Sequence, residues 1–362
     1  MTDSPDLSFL DHPDLLPAFV EENRPRATGA GLDPHEYTRV TAALRSVREW
    51  PEAFRAAGRR HRDTADRAAA EGRTVTAGEA YRTAARWLHC AGLLPHPDRA
   101  AAARTATEAD AAMHAALALL DPAAERVGGE CFVGRLRRPA GPGRAPLVIV
   151  VPGMDSGKEE FHAVAEALLV RGAAVFALDG PGQGVLAATS APEPDYHRVV
   201  GRVIDAVAGR EGVDVDRVGL VGLSLGGYYA AVTAAREPRI RATAVVSGPY
   251  RLDWDTLVPF VTATLTQRCG SAEAARAFVR RVDLTGAAPE ITGPLLVVEG
   301  GEDRIPGVTN AEPLARLAPR AELLRVPHGN HLLGNALADW LPATADWLTA
   351  RLAGATTGAT TR

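Results

Sequence analysis

A chain of 362 residues exceeds the usual size of one compact domain and predicts a large domain with a sizeable appendage. Hydrophobic residues at 46% and charged residues at 23% are the balance of a globular protein. The formal net charge of -4, with arginines scattered among acids, excludes the basic stripe that a nucleic-acid or anionic-membrane partner would need.

The opening residues, MTDSPDLSFLDHPD, are acidic and polar, so no signal peptide is expected, and no apolar run approaches the roughly 20 residues of a membrane helix. A cytoplasmic protein is the expectation. Cys90, Cys131 and Cys269 lie far apart, which indicates neither a disulfide framework nor a metal site and predicts buried, inert thiols.

Up to about residue 125 the periodicity is helical. In TAGEAYRTAARWLHCAGLL, Thr76 and Glu79 have capping-box spacing, and Ala80, Ala84, Leu88 and Ala91 share one face. Residues 100–120 predict a second, alanine-rich helix, and 36–60, with Leu44, Val47, Trp50 and Phe54, a third. Residues 1–125 are therefore expected to form an all-helical N-terminal module.

From about 130 strands and helices alternate. Residues 130–151 offer a short amphipathic strand, a Pro/Gly turn and a fully apolar strand at 147–151. Further strands are expected at 173–178, 217–221, 241–246, 294–298 and 322–326, with helices such as 159–171 and 196–210 between them. Mostly continuous apolar strands predict a parallel sheet covered on both faces, an α/β fold spanning 126–353. The stretch 250–290 is too long for a plain crossover and reads as a helical lid insertion, whereas 354–362 is small, polar and aperiodic, as a disordered tail would be.

Ser224 sits in GLVGLSLGGY, after an apolar strand and before a helix start, so its GxSxG falls on a strand-to-helix turn that exposes a nucleophile. A serine hydroxyl needs a base to take its proton. Among ten histidines, His331 in VPHGNHLLGN follows the last strand in a polar loop and is favoured over His328. The base in turn needs a carboxylate, and Asp303 in EGGEDRIPG, 28 residues before His331, is favoured over Glu302; Asp253 and Asp255 are weaker alternatives. For the oxyanion, the backbone N–H groups of Leu225 and of Met154 are the expected donors. Gly153, Asp155, Lys158, Asp253 and Trp254 are candidate pocket residues, although Asp155 or Ser156 could equally cap the following helix. His162 is a further candidate pocket liner, whereas His89 reads as an ordinary helix residue.

Nucleotide and metal readings fail on spacing. GMDSGKEE has one residue too few for a phosphate loop and Glu159 where Ser or Thr should bind magnesium. The glycines of DGPGQG do not fit the dinucleotide fingerprint, and HGNH lacks partners for a metal, so no cofactor and no metal are expected.

With Ser224, Asp303 and His331 in that order, the chain resembles the α/β-hydrolase superfamily over about 130–350, through VIVVPG, ALDGPGQG, GLSLGG, EGGEDRIPG and HGNH. PGMDSGKEE, the helical N-terminal segment and HLLGN narrow the resemblance. They are similar to the subgroup of 2,6-dihydroxypseudooxynicotine hydrolase, FrsA-type esterases and polyketide-shortening hydrolases. That resemblance implies hydrolysis of an ester or of a carbon–carbon bond next to a ketone, N-terminal helices over the pocket, and often a homodimer.

A serine-dependent hydrolase of a small-molecule carbonyl compound is thus the leading expectation. A lyase or acyltransferase of specialised metabolism using the same residues is the alternative, and a binding protein on the same fold is the third. Trp254, Leu257, Val258, Phe260 and Val261 point to an apolar ligand or to packing within the lid.

Overall fold

The apolar runs between residues 145 and 326 assemble into the centre of an eight-stranded sheet, in a computed structural model that describes residues 5–353. The strands of this sheet are β1 (Glu125–Gly128), β2 (Val133–Arg137), β3 (Ala145–Val151), β4 (Ala174–Asp179), β5 (Val213–Leu223), β6 (Ile240–Val246), β8 (Leu295–Gly300) and β10 (Ala321–Val326). Their spatial order is β1-β2-β4-β3-β5-β6-β8-β10. β2 pairs antiparallel with both β1 and β4, and every pairing from β4 onward is parallel. β7 (Pro249–Leu252) and β9 (Val308–Asn310) form a separate antiparallel pair.

Alternation along these strands explains why they read as continuously apolar. In β3, Leu147, Ile149 and Val151 face one core, with α7 (His197–Val207) and α8 (Leu225–Arg236). Val148 and Val150 face the other, with α6 (His162–Leu169) and α12 (Leu337–Ala353). Both faces are covered, so no polar face is left to show a period of two.

The N-terminal region comprises α1 (Leu15–Gly29), α2 (Pro34–Thr41), α3 (Trp50–Ala70), α4 (Thr74–Ala91) and α5 (Arg99–Leu120). Trp50 stacks on Phe54 with ring centroids 3.8 Å apart and donates its indole N–H to the Cys90 carbonyl at 2.9 Å. That aromatic cluster, joined by Phe19, Tyr37 and Trp87, is the core of the helical region.

Three local expectations need correction. The predicted helix at 36–60 is broken, because Ser46 captures the Arg48 N–H in a 3₁₀ turn (Val47–Glu49) and Pro51, which has no N–H to donate, starts α3 in its first turn. Thr76 and Glu79 form no capping box: α4 already begins at Thr74, after the left-handed turn at Gly72, without a side-chain cap. α1 is absent from the sequence reading because Pro17 and Pro25 interrupt its pattern, yet the chain continues helically through Pro25.

Segment 250–290 contains β7, α9 (Pro259–Cys269) and α10 (Ala272–Val279), with short 3₁₀ turns, so its predicted helical content is present. Cys90 is buried, with its thiol pushed up to about 12 by desolvation, whereas Cys131 and Cys269 are half-buried. The predicted tail at 354–362 lies outside the described residues. Among the described residues no helix is long and apolar enough to cross a membrane.

Candidate active site

β5 runs through the middle of the sheet and ends at Leu223, so the next residue is pushed out at the carboxyl edge. Ser224 has φ 56 and ψ -131, a left-handed conformation that a serine adopts only when its surroundings impose it. Its backbone N–H donates to the Val246 carbonyl at 2.9 Å, tying the turn to β6. The flanking glycines are sterically required. A Cβ on Gly222 would lie 2.0 Å from the Gly226 carbonyl oxygen, and one on Gly226 would lie 2.2 Å from that of Val151.

The loops after β8 and β10 emerge on the same edge and bring the other two predicted residues to Ser224. His331 Nε2 lies 3.0 Å from Ser224 Oγ, and its Nδ1 lies 2.9 Å from Asp303 Oδ2. The Asp303 side chain is 2% exposed and that of His331 32%, so the acid is sealed while the imidazole stays partly accessible. Ser247 Oγ accepts the Leu332 N–H at 3.0 Å, and Leu332 and Leu333 both take positive φ, which fixes the loop that carries His331. The alternatives lie elsewhere: His328 is exposed and pairs with Asp339 at 3.2 Å, and Glu302 is exposed. Asp253 is exposed and caps a 3₁₀ turn through the Asp255 N–H, and Asp255 is itself exposed.

The loop after β3 packs directly on the serine. A Cβ on Gly153 would lie 2.9 Å from Ser224 Cβ, which places Met154 beside the serine on that loop. Leu225 is the first residue of α8, where an N–H has no acceptor within the helix. Gln183 braces the same loop by donating to the Pro152 carbonyl at 2.5 Å while accepting from the Tyr196 hydroxyl at 2.6 Å.

Two ion clusters anchor residues 155–160, directly after Met154. Arg26, from α1, reaches Asp155 at 2.8 Å, Glu160 at 2.7 Å and the Ser156 hydroxyl at 3.0 Å, and His89 meets Glu160 at 2.8 Å. Burial alone would raise the Glu160 carboxyl, but Arg26 and His89 override it and hold it well below the usual range. Lys158 lies fully inside, 2.7 Å from Asp179, 2.9 Å from Glu159 and 3.1 Å from Asp110. It ties the loop after β3 to α5 and to the end of β4, which corrects its candidacy as a pocket residue. Arg26, Asp179 and Gln183 escaped the sequence reading; Arg26 lies in a helix the pattern concealed, and Gln183 and Asp179 lie in the DGPGQG turn.

Beneath Asp303, Glu299 at 2% exposure accepts the Ala311 N–H at 2.8 Å. Burial pushes its carboxyl up to about 7, and the Asp303 charge pushes the same way. No sequence signal marks it, since it is one polar residue inside an apolar strand.

A cleft open to solvent lies between α4, α5, α9 and the loops after β3 and β4, with Asp155 and Ser156 on its wall. Ser224, His331 and Met154 do not line it, whereas Asp155 and Ser156, next along the loop after β3, do. His89 does line it, contrary to the ordinary reading of that residue. His162 does not, being half-buried at the start of α6 and lowered well below its ordinary pKa by burial and by three nearby arginines. Trp254 lies under the Arg276 guanidinium at 5.1 Å and Phe260 packs on Phe19, so neither presents an apolar wall to this cleft. No group of residues suited to holding a metal ion occurs among the described residues.

The alpha/beta hydrolase fold family matches residues 146–268 of this chain. The 2,6-dihydropseudooxynicotine hydrolase of Paenarthrobacter nicotinovorans is 30% identical over 329 residues, covering 86% of this chain and 89% of that protein. The chain belongs to the α/β-hydrolase family. A solved structure of 2,6-dihydroxy-pseudo-oxynicotine hydrolase superposes on this α/β hydrolase with a TM-score of 0.81 at 27% identity, over 93% of this chain and 98% of that one. The 20-hydroxy-prefusarin hydrolase of Gibberella moniliformis is 40% identical over 131 residues, 33% of this chain and 31% of that protein. AbyA5 shares the fold, with a TM-score of 0.67 at 19% identity over 94% of this chain and 97% of that one.

Proposed function

We propose that this α/β hydrolase is a serine-dependent enzyme that cleaves an ester, or a carbon–carbon bond next to a ketone, in a small metabolite. The observation that carries the reading is the position of His331, with one ring nitrogen on Ser224 and the other on a buried carboxylate. In this reading Ser224 Oγ attacks the carbonyl carbon while His331 Nε2 takes its proton. Asp303 holds the Nδ1–H tautomer and stabilises the imidazolium. The developing oxyanion is received by the Leu225 and Met154 N–H groups, the first of which benefits from the positive end of α8. His331 then returns the proton to the leaving alkoxide, or to the leaving carbanion in the carbon–carbon case, and water releases the acyl group.

The names of the relatives support hydrolysis of a small metabolite. They include hydrolases of a 2,6-dihydropseudooxynicotine and of a 20-hydroxy-prefusarin, and a small carbonyl-bearing metabolite, polyketide-like in form, is the class proposed here. The N-terminal helices and segment 250–290 contribute walls to the cleft beside the serine loop, which supports a role for them in covering bound substrate.

Incubation with 4-nitrophenyl butyrate and with 1-phenyl-1,3-butanedione in heavy-oxygen water tests the proposal. Solvent oxygen is expected in the product acid, with turnover abolished in Ser224→Ala and in His331→Gln. Turnover of the diketone without solvent oxygen in the acid, or undiminished turnover in Ser224→Ala, would overturn it.

A further inference from the structure

Arg268, near the end of α9, lines the cleft with a guanidinium that has no counter-ion among the described residues. Its Nε is sealed from solvent and meets no hydrogen-bond acceptor, although the residue as a whole is half-buried. Asp155 and Asp179 act on it only through space, Arg99 on the same wall repels it, and burial lowers its pKa from the ordinary arginine value.

The acids that share the cleft are committed elsewhere. Asp155 is bound to Arg26 at 2.8 Å, and Glu159 to Lys158 at 2.9 Å. Gln267 is also engaged, since its side-chain amide bonds the backbone of His96 on both sides. Arg99 has no ion pair among the described residues either. A guanidinium nitrogen sealed from water without an acceptor carries an uncompensated desolvation cost, and the planar fork of an arginine matches a carboxylate through two parallel hydrogen bonds.

We propose that the Arg268–Arg99 end of this cleft is a subsite for a carboxylate of the substrate. The remainder of the substrate lies along the small apolar surface of Ala102, Ala103, Ala106 and Leu94 toward Ser156, two residues past Met154. An acidic, otherwise apolar carbonyl compound is the class that such a cleft accepts. The link from this subsite to turnover rests on Ser224 being the nucleophile, whereas binding of the carboxylate does not.

Isothermal titration of the full chain with benzoate and with benzamide, which have the same shape and differ in charge, reads the subsite without turnover. Benzoate is expected to bind at least tenfold more tightly. Arg268→Met is expected to bring benzoate to the benzamide level, with Arg268→Lys and Arg99→Gln each intermediate. Equal affinity of the unaltered chain for the two probes, or benzoate affinity retained in Arg268→Met, refutes the subsite. Because neither probe is cleaved, a failure of the Ser224 reading would leave this result standing.

Discussion

Replacing Glu299 with Gln separates the electrostatic load on the Asp303 loop from its packing. The carboxyl is buried and pushed up to about 7, against 4.5 for a free glutamate, with burial as the main cause. Between pH 4.5 and about 7 the folded chain therefore holds a proton that the unfolded chain has released. With more protons bound in the folded state, stability falls as pH rises through that window. The fall is complete above the folded value, and a gap of this size corresponds to on the order of 3 kcal/mol. Gln keeps the shape and an acceptor for the Ala311 N–H but cannot ionise. Glu299→Gln is expected to match the unaltered chain near pH 4 and to exceed its stability by on the order of 3 kcal/mol at pH 8. Urea unfolding at each pH from 4 to 9 measures the difference. A difference that does not change with pH, or one that shrinks as pH rises, refutes the reasoning.

Arg26→Met leaves Asp155 without its cation and Glu160 with His89 alone, and a loss of about 3–5 kcal/mol is expected in urea unfolding, of which Arg26→Lys recovers only part. An undiminished unfolding midpoint in Arg26→Met contradicts this. Gly226→Ala drives a Cβ to 2.2 Å from the Val151 carbonyl oxygen, between two stretches of backbone, and should cost several kcal/mol or prevent folding. Gly286→Ala meets nothing within 4 Å and serves as the control, with a change within about 0.5 kcal/mol.

The sheet was legible because buried parallel strands are continuous apolar runs, and the six strands read from 147 to 326 are all present. β1 escaped because its four edge residues, Glu125–Gly128, are two adjacent charges, one buried valine and a glycine, too few to show a period. β7 and β9 escaped because four and three residues carry no usable period. At the site, Ser224, Asp303 and His331 were readable from strand ends and loop chemistry, since each follows a strand that the pattern revealed. Arg26 was not, because its partners Asp155 and Glu160 lie 129 and 134 residues away and its helix contains Pro25. Arg268 was equally hidden, since one arginine on α9 shows its lack of a partner only after the fold is assembled. Lys158 misled for the converse reason: a lysine beside the predicted pocket gives no sign in sequence that three carboxylates will enclose it.

The central claim is that Ser224 is a nucleophile activated by His331, and covalent labelling tests it most directly. Treatment with a fluorophosphonate, followed by proteolysis and mass spectrometry, is expected to place one adduct on the peptide containing Ser224. The adduct should be lost in Ser224→Ala and form far more slowly in His331→Gln, with His328→Gln labelling at the unaltered rate. No adduct on that peptide in a chain that turns over ester, or equal labelling rates in His331→Gln and the unaltered chain, would contradict the account.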